Sequence, residues 1–130
     1  MHKKPSVAHS FATLALPVLL SACAAVVQSP ATLSPPGAAQ HGAPLVLMKD
    51  AELTLDTGYG RTLRAGSRWQ HTGSVAQGDV YKPVQDVLTI EGAHMHEAWL
   101  VLSGRTVVGF YLPAERSFSP LRAQLALQLQ

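Results

Sequence analysis

One cysteine in 130 residues leaves the chain without a partner for an internal disulfide. Charge is scarce as well: Asp, Glu, Lys and Arg make up 14% of the chain, while 47% is hydrophobic, which excludes a highly charged disordered chain. No eighteen consecutive residues are uninterruptedly apolar, so no permanent spanning helix is expected. Clustered cations are missing too. The net charge of +2 rests on Lys3 and Lys4, and from Cys23 onward eight basic residues face eight acidic ones. Nucleic acid is therefore not an expected partner, because counterion release needs a concentrated basic surface. The serines occupy neither a strand-to-helix elbow nor a Ser-x-x-Lys setting, and Gly58-x-Gly60 lacks the lysine and helix of a phosphate cradle. These gaps argue against an enzyme.

What is present begins at the amino terminus. His2, Lys3 and Lys4 form a basic start, an apolar run extends from Val7 to Leu20, and small residues follow at Ser21, Ala22 and Cys23. That is the layout of a cleaved export signal. About 14 apolar residues give a helix of roughly 21 Å, short of a bilayer core of roughly 30 Å. The tetrad Leu20-Ser21-Ala22-Cys23 resembles the lipobox of bacterial lipoproteins. The resemblance implies removal of residues 1–22 and leaves Cys23 as the first residue, with a diacylglycerol on its thiol and an acyl chain on its amine. Such anchoring is effectively lasting, since each buried methylene contributes about 0.8 kcal/mol. It would also remove the reactive thiol that an odd cysteine otherwise leaves in an oxidising compartment. Ala rather than Asp at position 24 implies, by resemblance to enteric-type sorting, the periplasmic face of the outer membrane over the inner membrane. No other cofactor is expected.

Residues 24–44 carry no charge and are interrupted by Pro30, Pro35, Pro36 and Pro44. This composition predicts a flexible linker over 23–44. As coil it would average about 25 Å end to end, holding the body clear of the lipid.

The remaining residues, 45–130, suffice for one modest core. Their dominant period is two. Ala51, Leu53 and Leu55 alternate with Glu52, Thr54 and Asp56 before a turn at 57–60. Further strands are expected over 61–64, 68–75, 79–84, 87–90, 97–102 and 106–112, with a tight hairpin centred on Ser103 and Gly104. Ala123, Leu125, Leu127 and Leu129 alternate with polar or small neighbours in a last strand. The expected class is mainly β: a small antiparallel barrel or two-layer sandwich of six to eight short strands after a disordered tether. The expected core is Leu53, Leu55, Leu63, Trp69, Val87, Ile90, Leu100, Leu102, Val107, Phe110 and Leu112.

Two groups of residues are candidates for function. On a strand, His94 and His96 would share a face, as two imidazole metal ligands require, and His71, Asp79, Asp86 or Glu91 would have to supply a third. His94-x-His96, Glu97 and Gly104 have a partial resemblance to the cupin metal motif. The pattern departs from that family because Glu97 follows His96 directly and no second histidine motif comes downstream. Alternatively, the sheet edges and Leu125, Leu127 and Leu129 offer backbone pairing and an apolar surface to a protein partner. The favoured expectation is a membrane-anchored, non-catalytic interaction or accessory module of a cell-envelope complex, ahead of a small-ligand or metal-binding domain.

Overall fold

The computed structural model describes residues 2–17, 24–38 and 42–130. Among them there is no α-helix, and no helix long and apolar enough to cross a membrane. Residues 2–17 have neither helix nor strand and are exposed.

The body is antiparallel β throughout. Its strands are β1 (Ser29–Pro30), β2 (Leu45–Val46), β3 (Ala51–Thr54), β4 (Gly60–Leu63), β5 (Arg68–Val75), β6 (Gly78–Pro83), β7 (Thr89–Glu91), β8 (Met95–Glu97), β9 (Trp99–Ser103), β10 (Thr106–Leu112) and β11 (Ser117–Ala126). Seven of them make one sheet in the order β1-β11-β10-β9-β6-β5-β2, while β3-β4 and β7-β8 are separate two-stranded hairpins. The chain beyond β11 returns to the opposite end of the sheet. Val46 and Gln130 exchange amide-to-carbonyl bonds of 3.2 and 3.0 Å, and the Met48 amide donates to the Gln128 carbonyl at 2.7 Å. The sheet thus curls until its β2 edge is tied to the chain beyond β11 by a bridge at Leu47 and Leu129, which shields edge groups otherwise open to pairing.

The curl encloses the main core. Leu53, Leu55 and Leu63 from the first hairpin and Ile90 from the second meet Trp69, Leu100, Leu102, Val107, Phe110 and Leu112 of the sheet. Val87 is the one expected core residue that lies outside, 70% exposed, while its neighbour Leu88 is 8% exposed and packs inward. The strand there starts only at Thr89, so residues 84–88 are loop and the alternation read from the sequence does not hold over them.

Local departures have local causes. Between Val107 and Gly109 the pairing of β10 with both neighbours shifts register, which lets Val107 and Phe110, three apart, face the same core. Pro120 stands where β11 leaves register, since Gly109 pairs Pro120 but Val107 pairs Leu125. A break suits a residue with no amide to donate. The last strand therefore starts at Ser117, earlier than expected. The expected strand at 97–102 is two strands separated at the fully buried Ala98. The β9-β10 loop is Gly104-Arg105, closed by the pair Ser103 and Thr106, with Gly104 at φ +61° as the first position of such a loop requires.

The second face of the sheet is covered as well. Val75, Val80, Val101, Tyr111 and Phe118 form a smaller cluster under Ala31, Leu33, Trp99 and Val108. This explains why Leu100, Val101 and Leu102 are all buried in succession: a strand buried on both faces reads as a continuous apolar run.

The cover corrects the expectation of a free linker. Ser29 and Pro30 pair with Phe118 and Ser117, Ala31 donates to the Arg116 carbonyl at 3.1 Å, and Ser34 and Ser74 exchange bonds of 2.8 and 2.9 Å. Residues 24–34 are therefore a strap. A chain without internal charge can lie across apolar sheet surface at little desolvation cost, which is what composition alone did not distinguish from a solvated linker.

Candidate functional site

A recess lies where the strap, both hairpins, β10 and β11 meet. It is a cavity of about 220 Å³ lined by Val26, Leu55, Ile90, Phe110 and Leu121, with Asp56, Glu91 and Arg122 among its polar lining residues. Its walls follow from the fold: the strap packs Val26 against the margin of the core, and Leu121 lies in the register break of β11. Its polar groups are partly engaged, Glu91 Oε2 being buried without a hydrogen-bond partner. Arg61 pairs with Glu91 and donates from Nε to the Thr89 carbonyl at 2.8 Å, and the Thr57 hydroxyl donates to the Glu91 carbonyl. The Arg122 amide donates to the Asp56 carboxylate at 2.9 Å. Such a site can hold a small, mainly apolar group. Strand alternation could not reveal it, because its walls come from five elements far apart in sequence.

A shallower groove runs between Arg64, Arg68 and Trp69 on one side and Pro83, Gln85, Asp86 and Val87 on the other. Over it the loop presents Val84, 45% exposed, and Val87, 70% exposed. The combination of apolar tips beside two guanidinium groups is the chemistry of a protein-binding patch.

The histidines are dispersed. His94 is exposed in the β7-β8 turn and His96 lies half-buried on β8, where its Nδ1 is 2.7 Å from Glu115 Oε1. His71 Nε2 is 3.4 Å from Asp79 Oδ1 on the neighbouring strand, and its ring is tilted on Tyr81 with centroids 5.2 Å apart. Burial, and then the Asp79 carboxylate, push the Tyr81 phenol above the ordinary tyrosine value. Among the described residues no group of three or more His, Cys, Asp or Glu side chains is placed to hold a metal ion. Asp86 lies in the groove, and Glu91 is held by Arg61.

Leu127 is 4% exposed within the main core, and Leu125 and Leu129 pack against it half-buried. These leucines close the end of the rolled sheet. Leu20, Ser21, Ala22 and Cys23 lie outside the described residues. No protein-family model, curated protein or solved structure matches the chain.

Proposed function

We propose that the protein is a bacterial envelope lipoprotein, acylated at Cys23 and held at the periplasmic face of the outer membrane, which serves as a non-catalytic interaction or accessory module of an envelope complex. The tetrad Leu20-Ser21-Ala22-Cys23 supports the location. Val7, Phe11, Leu14 and Leu16 are 73%, 91%, 83% and 76% exposed, as suits a leader that contributes nothing to the body's core.

The observation that carries the interaction role is the exposed loop at Val84 and Val87 beside Arg64 and Arg68. The final leucines support closure of the fold, so the groove takes their place as the surface offered to a partner. The test is purification of the acylated full chain in mild detergent. A stoichiometric envelope protein should accompany the wild type and be lost from Val87→Asp, whose exposed position leaves the fold intact. Retention of the partner by that variant, or no stoichiometric partner at all, contradicts the role.

A second reading, binding of a small apolar ligand, is favoured by the 220 Å³ cavity. Native mass spectrometry of the purified body would then show an adduct that Leu121→Trp displaces.

A further inference from the structure

The strap fixes the body relative to its anchor. Ala24, one peptide bond from Cys23, accepts a hydrogen bond from the Ala93 amide at 3.1 Å. A side chain at Gly92 would not leave room for this contact: a Cβ there would lie 2.6 Å from the Ala24 carbonyl oxygen and 2.9 Å from the Val26 nitrogen. Val26 then enters the core margin, and Gln28 Oε1 accepts from the buried Ser117 hydroxyl at 2.6 Å. Consecutive Cα atoms are only about 3.8 Å apart. An anchor at Cys23 therefore leaves essentially no free chain between the lipid and the β7-β8 turn.

We propose that the acylated protein sits flush on the lipid headgroups, through the β7-β8 turn and the β3-β4 turn beside it, instead of hanging from a spacer. The inference rests on the lipoprotein reading above. The two turns form one unit, joined by the Thr57 hydroxyl on the Glu91 carbonyl and by the Arg61 and Glu91 pair. Their exposed side chains suit an interface: Met95 is 67% exposed, Tyr59 46% and, on the strap beside them, Val27 66%. Tyrosine and methionine place apolar surface at a boundary where one side is wet. Of the carboxylates nearby, Glu91 is paired with Arg61, and Asp56 accepts from the Arg122 amide with the Arg122 guanidinium 3.9 Å away, which lowers their repulsion of anionic lipid.

Acylation consumes the only native thiol, so one introduced cysteine can be labelled uniquely. The acylated full chain, as Met95→Cys or Gln77→Cys, is labelled with nitrobenzoxadiazole and reconstituted in phosphatidylethanolamine–phosphatidylglycerol vesicles containing headgroup-nitroxide lipid. Gln77 lies in the β5-β6 turn, beside the far end of β9. The label at 95 should be quenched several-fold more than the label at 77. Gly92→Val, which evicts the strap, and an insertion of about ten Gly and Ser residues between Cys23 and Ala24, adding roughly 17 Å of coil reach, should each bring quenching at 95 down toward that at 77. The insertion leaves the body's own sequence intact and serves if Gly92→Val fails to fold. Equal quenching at 95 and 77 in a chain whose mass includes the lipid overturns the flush geometry alone. Quenching at 95 that survives the insertion overturns the strap's part in it. A bare sulfur at Cys23 overturns this inference together with the lipoprotein reading.

Discussion

Leu33, in a stretch whose composition reads as solvated linker, packs on the same buried cluster as Val80, which is fully enclosed at the centre of the sheet. A strap of low complexity has become part of the cover of a second core. Residues with no charge and little helix propensity are not committed to solvent, and the sheet supplies both the apolar surface and the backbone partners they need.

That packing predicts a stability effect from a residue outside the predicted domain. Leu33→Ala removes apolar contact over Val75, Val80 and Val101 and should lower the unfolding free energy by about 1–2 kcal/mol, the lower part of the range for large-to-small changes because Leu33 is only half-buried. Urea unfolding of the body with and without the substitution measures it. An unchanged midpoint would mean that the strap is not bound in solution.

Arg61 joins the two hairpins through Thr89 and Glu91, with its side chain 27% exposed and that of Glu91 20% exposed. Arg61→Ala should cost about 1–2 kcal/mol, because it leaves a part-buried carboxylate and a carbonyl without their donor while solvent screens part of the loss. Arg61→Lys should recover only a fraction, since an ammonium cannot present two donors in a fixed fork. Full recovery by lysine would show that charge alone holds the hairpins together.

Tyr81 gives the pH prediction. Its phenol titrates above the ordinary value of about 10 because burial, and secondarily Asp79, disfavour the phenolate. The folded chain thus keeps this proton to higher pH than the unfolded chain does. The corresponding stability is present below about pH 10 and is lost as pH rises through the folded-state value. Denaturation followed at increasing alkaline pH should fall more steeply for the wild type than for Tyr81→Phe. Parallel curves would contradict the assignment.

The β class, most strand positions and ten of the eleven expected core residues are legible in the sequence, because alternation along strands such as β3 directly reports burial on one face. Val87 escapes the pattern because the loop at 84–88 interrupts the alternation with no glycine or proline within it. The strap and the cavity were not legible for a different reason. Both depend on contacts such as Ser34 with Ser74 and Val26 with the core, between segments whose own patterns carry no period. The β10 bulge likewise hid behind an apolar run from Val107 to Leu112 in which only Gly109 breaks the sequence.

The most direct test of the account is the intact mass of the mature protein, with sequencing of its first peptide, from a host that processes lipoproteins. The expected chain starts at Cys23 and carries diacylglycerol on sulfur and an acyl group on nitrogen. A chain that retains residues 1–22, or one that starts elsewhere with an unmodified thiol, would contradict it.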